Sequence, residues 1–141
     1  LYIFEHAVSD LNKAGIRITV HLILGLPEET RKEMLASVSY VNQLPIQGIK
    51  LAMLHILKGT PLGMSYENAP WPLLSLDEYT DLIVTCIGIS RSSICMERLT
   101  GDGPKNLLLA PLWTENKRMV LNTIAAKCKR QSITQGCLRN L

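Results

Sequence analysis

The sequence predicts an α/β fold built on a parallel sheet, and three observations support this. Helix-like and strand-like hydrophobic patterns alternate along the chain, which is typical of βαβ units. Two predicted helices begin with capping boxes, Thr30 with Glu33 and Ser75 with Glu78. The predicted strands are apolar on one face and mixed on the other. That pattern is typical of a barrel wall, since a doubly wound sheet is apolar on both faces.

The first elements are a helix and a strand. Residues 2–14 place their apolar side chains on one helical stripe, and Gly15 ends it. The strand predicted over 17–24 has one fully apolar face. Its other face carries Arg17 and His21 among mixed neighbours.

The same order repeats through the rest of the chain. Thr30 begins the second helix, and the next strand is predicted over 48–55. After a loop and a short helical piece, Ser75 begins another helix. A third strand is predicted over 94–99, and Thr114 is expected to cap the last helix. We therefore expect about three parallel strands with helices on one sheet face.

Composition limits the class of protein. The chain has 141 residues, of which 47% are hydrophobic and 19% charged, so we predict one domain over 1–141 with a loose tail at 131–141. A net charge of +3 favours neither nucleic acid nor a membrane as partner. No apolar run approaches the roughly 18 residues of a membrane span. The chain begins at Leu1 and three strands cannot close a barrel, so we expect a fragment of a longer protein.

The cysteines indicate no metal site. Their separations match neither a zinc knuckle, nor a redox pair, nor a cluster-binding triad. We expect reduced, half-buried thiols in a cytoplasmic protein. The four are Cys86, Cys95, Cys128 and Cys137.

A ligand site is predicted at the carboxyl ends of the strands, where parallel α/β proteins bind their ligands. Three loops fall there, at 25–28, 55–61 and 100–103, and they are rich in glycine and polar residues. Glycine permits close backbone approach to a ligand, and the helix that follows offers free N–H groups. The pattern predicts a site at this rim without specifying a reaction.

Each candidate side chain also has a structural interpretation. His21 is a ligand-binding group, a general base or a hydrogen-bonded structural histidine, and His55 has either a functional or a structural role. Lys58 either contacts an anion or is solvated, and Glu28 either serves the site or stabilises the dipole of the next helix. Asp102 is compatible with an Asx turn.

Glu97 and Arg98 are adjacent in the third predicted strand. Because side chains alternate along a strand, we expect these two to point to opposite faces and not to form one site. The chain contains no nucleophile elbow, P-loop or HExxH motif.

Three segments in order resemble one family. "HLILGLPEET" (21–30), "GIKLAMLHILKGTPL" (48–62) and "RLTGDGPKNLLLAPLWTENKRMVLNTI" (98–124) are similar to the C-terminal half of the YhcC-type radical S-adenosylmethionine (SAM) family. That family is related to the elongator and coproporphyrinogen-oxidase groups. The resemblance covers about 15–136 and implies the C-terminal portion of a partial (β/α)₆ barrel that holds SAM and a [4Fe-4S] cluster.

The resemblance also implies roles for individual residues. The turn along the SAM adenosine and ribose would consist of Gly25, Leu26, Pro27 and Glu28. The strand exit that meets the adenine would provide His55, Leu57 and Lys58. The substrate-side candidates are His21, Lys50, Arg98, Thr100 and Asp102.

The activity implied for the whole protein is radical chemistry. A reduced cluster would cleave SAM to a 5′-deoxyadenosyl radical, which abstracts hydrogen from an unknown substrate. This chain lacks the CxxxCxxC and glycine-rich SAM motifs, so we expect it to be inactive alone. Its expected partners are SAM, the substrate, and either the N-terminal half or a second copy of the chain.

The chain differs from the family at two positions, and a second function is also compatible with the sequence. Family members tend to carry His where this chain has Ala52 and Glu97, two positions expected near the rim. The alternative is a non-catalytic α/β module that binds a nucleotide or a protein. A CxxxCxxC motif upstream of Leu1 would favour the enzyme.

Overall fold

The computed structural model describes residues 1–139, and within them it contains five α-helices and five β-strands. The helices are α1 (Tyr2–Lys13), α2 (Arg31–Val41), α3 (Pro61–Asn68), α4 (Leu76–Ile89) and α5 (Lys117–Gln131). The strands are β1 (Thr19–Leu24), β2 (Gly48–Met53), β3 (Ile56–Leu57), β4 (Cys95–Arg98) and β5 (Leu108–Ala110). No helix in the described part of the chain is long and apolar enough to cross a membrane.

Three strands form a parallel sheet in the order β1-β2-β4. This confirms the predicted α/β class and the parallel pairing of the strands. β2 lies in the centre, with Val20 of β1 aligned to Ile49 and Gly48 aligned to Cys95 of β4. The carboxyl ends of β1, β2 and β4 therefore meet at one edge of the sheet.

The helices cover one face of this sheet, as the period-two pattern predicts. Val20 and Leu24 of β1 are buried, whereas His21 and Ile23 between them are exposed. Burial of the apolar face against α2, α4 and α5 provides the main hydrophobic stabilisation. The buried core contributed by these helices consists of Met34, Val38, Val41, Tyr79, Leu82, Ile83, Val84, Cys86, Val120 and Ile124.

The helix starts are largely those predicted. Thr30 and Ser75 form complete capping boxes, in which side chain and backbone bond reciprocally. The predicted start of the last helix at Thr114 is wrong. The Thr114 hydroxyl donates to the Pro111 carbonyl within a short 3₁₀ turn, and Asn116 caps α5.

A second, two-stranded sheet was not predicted. β3 and β5 pair antiparallel, with Ile56 aligned to Ala110 and Leu57 to Leu108. The backbone N–H of Lys58 extends the pairing by donating to the Leu107 carbonyl at 2.7 Å. This pairing joins the exit of β2 to the segment that follows β4.

The chain after α5, expected to be loose over 131–141, is docked against α4 as far as it is described. The Gln135 side-chain amide donates to two backbone carbonyls. One of them is the Arg91 carbonyl, whose oxygen lies 2.8 Å from the amide nitrogen. The backbone N–H of Leu138 donates to the Gly88 carbonyl, and the Leu138 side chain occupies the space that a Cβ on Gly88 would need. The last two residues of the chain lie outside the described part.

Arg91 joins the ends of two helices. Its guanidinium donates to the carbonyls of Asn42, Leu44 and Ile46 at 2.7 to 2.8 Å. Its backbone N–H donates to the Asn42 side chain at 2.9 Å. Asn42 ends α2, and Leu44 and Ile46 lie in the connection that follows, so Arg91 fixes the exit from this helix.

Lys127 joins α5 to α4. Lys127 is 4% exposed, and its ammonium lies 2.7 Å from the Asp77 carboxylate and 2.8 Å from that of Asp81. Burial lowers the pKa of Lys127, and the two carboxylates outweigh this effect, so the pKa is raised overall. The charge is compensated where it is buried, as a stable internal ammonium requires.

Candidate functional site

The chain leaves β1 through a tight turn. The backbone N–H of Glu29 donates to the Leu26 carbonyl at 3.0 Å, so residues 26–29 form one turn. Pro27 and Glu28 occupy its centre, and the φ of Glu28 is 65°. Proline followed by a residue of positive φ is the pattern of a type II turn, which reverses the chain at the carboxyl end of β1.

The N–H groups of this turn are already occupied. Those of Gly25 and Leu26 donate to the Glu29 carboxylate at 3.0 and 3.1 Å. Gly25 has a φ of 80°, and a Cβ there would lie 2.9 Å from the Met53 methyl. Glycine is therefore needed for chain conformation and internal packing at this position.

A groove lies beside the turn. It has a volume of about 400 Å³, and Leu26 and Glu28 form part of one wall. Residues 71–74 also line the groove, and the buried indole N–H of Trp71 has no hydrogen-bond partner within residues 1–139. Buried donors are rarely left unpaired, so this N–H is an exception among the buried polar groups of the described chain.

The exits of β2 and β4 pack against each other. The Nδ1 of His55 lies 2.9 Å from the Met53 carbonyl, which only accepts, so Nδ1 carries the proton. The imidazole fills the space beside Gly101 and Gly103, where a Cβ at Gly101 would overlap the ring and one at Gly103 would lie 3.0 Å away. Two of the three predicted rim loops are thus in direct contact.

Asp102 is held by a lysine that sequence reasoning did not identify. The Lys117 ammonium lies 2.8 Å from the Asp102 carboxylate. That hydrogen bond, followed by the charge of Lys117, lowers the pKa of Asp102. The pairing links positions 15 residues apart, which no local pattern indicates. The neighbouring Thr100 is 5% exposed, so it offers little surface to a ligand.

Backbone groups of Leu57 and Lys58 make hydrogen bonds within the fold. Leu57 pairs with Leu108, and its carbonyl accepts from the Thr60 hydroxyl at 2.8 Å. The Lys58 N–H is bonded to the carbonyl of Leu107, whereas its side chain is exposed. Of this pair, the Lys58 side chain is the group most open to a ligand.

Three candidate residues share one row across the open sheet face. His21 aligns with Lys50 in the β1–β2 pair, and Lys50 aligns with Arg98 in the β2–β4 pair. Aligned residues of neighbouring strands direct their side chains to the same face. We call His21, Lys50 and Arg98 the basic row.

The expectation that Glu97 and Arg98 point to opposite faces is wrong, because β4 contains an irregularity. Ile49 pairs with Met96 and Lys50 with Arg98, so Glu97 is an extra residue in β4. Met96 and Leu99 both pack against the core, which leaves the two residues between them for the open face. Such a bulge breaks strict alternation.

Glu97 is the polar centre of this face and was not among the predicted site residues. Its carboxylate accepts from Arg17 at 2.8 Å and from the Thr19 hydroxyl at 2.9 Å, and it lies 3.8 Å from the Lys50 ammonium. It occupies the space that a Cβ on Gly48 would need. Since Gly48 begins β2, Glu97 lies toward the amino ends of the strands, not near the rim as expected.

The cysteines do not fit an iron–sulfur cluster. Cys86 is buried and Cys128 is half-buried, whereas Cys95 and Cys137 are exposed. Burial raises the pKa of Cys86 to about 12, which opposes formation of the thiolate that a cluster needs. Within residues 1–139, no group of three His, Cys, Asp or Glu side chains is arranged to hold a metal ion.

Comparison with known proteins shows that the chain is similar in sequence to several bacterial proteins. The chain is 38% identical over 133 residues to the uncharacterised protein YtqA of Bacillus subtilis, covering 94% of this chain and 41% of YtqA. It is 33% identical over 114 residues to YhcC of Escherichia coli K12, covering 81% of this chain and 37% of YhcC. The chain thus spans about two fifths of the length of these relatives.

A solved structure and a family profile agree with these relatives. An N-terminally truncated Elp3 of Methanocaldococcus infernus superposes with a TM-score of 0.69 at 16% identity, over 96% of this chain and 32% of that one, and so shares its fold. The profile described as the radical SAM C-terminal domain matches residues 46–130. These matches confirm the resemblance to YhcC-type proteins. The chain belongs to the radical SAM C-terminal domain family.

Proposed function

We propose that this chain forms the C-terminal part of a radical SAM barrel within a longer enzyme and contributes contacts to the adenosine of SAM. The match of residues 46–130 to the radical SAM C-terminal domain carries this proposal. SAM, when bound to a reduced [4Fe-4S] cluster, supplies the radical chemistry of such enzymes. The residues of this chain position the cofactor and shield it from water.

The groove beside the β1 exit is our candidate for the adenosine. Its volume of about 400 Å³ suits a nucleoside-sized group. Glu28 offers an exposed carboxylate as acceptor for ribose hydroxyls, and Leu26 and Trp71 offer apolar surface. The N–H groups of Gly25 and Leu26 are bonded to Glu29, so we assign the contact to side chains of the turn.

The exit of β2 is our candidate for the adenine side of the cofactor. His55 is fixed by its bond to the Met53 carbonyl, which leaves Nε2 as the ring acceptor. The Lys58 side chain is exposed beside it. These positions support the proposed role of the exit.

We propose that the cluster ligands come from outside this chain, since no three metal-binding side chains converge within residues 1–139. We expect anaerobic treatment of residues 1–141 with iron and sulfide to yield neither a stable cluster nor 5′-deoxyadenosine from SAM. Absorption spectroscopy, iron analysis and chromatography of the products measure this. A stoichiometric cluster that cleaves SAM would contradict both the cysteine geometry and the proposed division of the site.

Replacing Glu28 tests the adenosine contact in the whole natural protein. Glu28→Asn removes the carboxylate but retains a residue that tolerates positive φ. We expect SAM affinity to fall roughly tenfold, the effect of losing one hydrogen bond to a charged group. Calorimetric titration measures it, and Asp10→Asn, which removes an exposed carboxylate from α1, is the matched control.

Two outcomes separate the possibilities. Unchanged SAM affinity in Glu28→Asn would show that the turn only reverses the chain. SAM binding without any cleavage by the whole protein would favour the alternative of a non-catalytic nucleotide-binding module. Gly25→Val is a poorer test, since it combines an unfavourable φ with overlap at Met53 and therefore disturbs packing.

We further propose that the remainder of the barrel pairs with the edge of β1 and encloses the open sheet face as part of the inner wall of the barrel. Parallel strand edges are normally paired or covered, because they expose unpaired N–H and carbonyl groups. In the absence of that remainder, a second copy of the chain is the expected occupant.

A further inference from the structure

We propose that the basic row binds a phosphate group of the substrate. This rests on the proposed function, in which the open sheet face lies inside a radical SAM barrel. The row brings an imidazole, an ammonium and a guanidinium together on three neighbouring strands, at His21, Lys50 and Arg98. None of the three is contributed by the rim loops assigned to SAM.

Spacing makes the row suitable for one anion. Neighbouring strands lie about 4.8 Å apart, so the row spans about 10 Å, and a group above Lys50 is within reach of both flanking side chains. A guanidinium offers two parallel N–H donors that match phosphate geometry, and an ammonium adds a point charge. The row lies about 10 Å along β2 from Met53, at a rise of about 3.3 Å per residue, and so is distinct from the rim.

The charges near the row are not balanced. Glu97 is the one carboxylate that contacts this face within the described residues, and it bonds Arg17 more closely than Lys50, at 2.8 against 3.8 Å. Asp102, the next acid along the chain, is bonded to Lys117. Arg98 also acts on Asp102, because its charge helps to lower the pKa of that carboxyl. The four cations Arg17, Lys50, Arg98 and Lys117 thus face two carboxylates, Glu97 and Asp102, which leaves an excess of two positive charges for a ligand.

This excess favours phosphate over a carboxylate. A phosphate monoester carries close to two negative charges at neutral pH and presents three acceptor oxygens. A carboxylate carries one charge and would leave part of the row unpaired. Glu97 opposes either anion, because it lies beside Lys50 on the same face.

Radiolabelled inorganic phosphate is the probe, and equilibrium dialysis of the whole natural protein at low ionic strength is the measurement. We expect Arg98→Gln and Lys50→Gln each to weaken binding roughly tenfold or more. Glu97→Gln should strengthen binding, since it removes the opposing charge. Lys105→Gln, a change at an exposed lysine in the loop after β4, should leave binding unchanged.

The competitors and controls decide the result. Acetate should displace phosphate poorly, and preferential binding of acetate would overturn the assignment to phosphate. Equal phosphate binding by the wild type, Arg98→Gln and Lys50→Gln would show that the basic row is not the site. Weaker phosphate binding by Glu97→Gln, with an unchanged circular dichroism spectrum, would also contradict the proposal. SAM affinity should not change in Arg98→Gln, because this residue is not assigned to SAM. If the wild-type protein does not bind SAM at all, the proposed function is refuted independently of the phosphate result.

Discussion

Replacing Arg91 by alanine is expected to lower the free energy of unfolding by about 3 to 4 kcal/mol. The guanidinium bonds three carbonyls, those of Asn42, Leu44 and Ile46. A hydrogen bond to a charged group contributes about 1.5 to 3 kcal/mol, and three on one side chain are not additive. The positive charge also favours the carboxyl end of α2.

Urea denaturation followed by circular dichroism measures this loss, provided the m-value does not change. Arg31→Ala is the matched control, because the Arg31 side chain makes a single bond to the Thr85 hydroxyl and should cost under about 1 kcal/mol. Arg91→Lys should give an intermediate value, since an ammonium cannot reach all three carbonyls in the planar arrangement. Equal stability of Arg91→Ala and Arg31→Ala would show that water replaces the guanidinium.

Gly101→Ala is expected to cost about 1 to 3 kcal/mol by overpacking, and to displace His55. The φ of Gly101 is outside the positive range, so alanine is allowed by the backbone, and overlap with the imidazole is the specific cause. A displaced ring loses its bond to the Met53 carbonyl. Both rim loops then change shape together, and SAM affinity of the whole protein should fall.

A double-mutant cycle isolates that cause. In a His55→Ala background the ring is absent, so Gly101→Ala should cost less than about 0.5 kcal/mol. The two stabilities are measured by denaturation, and histidine NMR signals report the position of the ring in Gly101→Ala. If alanine at 101 costs the same in both backgrounds, the contact between the rim loops is not what requires glycine.

The helices were predictable because their signals are local. A capping box lies within four residues, so Thr30 with Glu33 and Ser75 with Glu78 were recognisable without tertiary information. Thr114 misled the prediction because threonine caps both helices and shorter turns. In the fold, the Thr114 hydroxyl donates a hydrogen bond to the Pro111 carbonyl. Asn116, two residues later, caps α5.

The second sheet was not predictable from periodicity. β3 has two residues and β5 has three, so neither is long enough to show alternation. Their pairing depends on bringing Ile56 beside Ala110, which follows from the completed parallel sheet. Tertiary context also determines the course of the tail, which bonds to the end of α4.

The candidate site was predicted in part. Parallel pairing places the ends of β1, β2 and β4 at one edge, and contact of His55 with Gly101 and Gly103 confirms that two exit loops meet. The roles assigned to individual residues there remain predictions. Glu97 and Lys117 were missed, because an ion pair between distant segments leaves no pattern in the sequence.

The bulge in β4 has an evolutionary consequence. Deleting Glu97 would return Cys95, Met96, Arg98 and Leu99 to regular alternation, with Met96 and Leu99 still directed to the core. Loss of this one residue therefore makes the open face more positive by one unit without redirecting a core side chain. Homologous chains that differ in length by this single residue are expected to differ in the ligands they select while keeping the same fold.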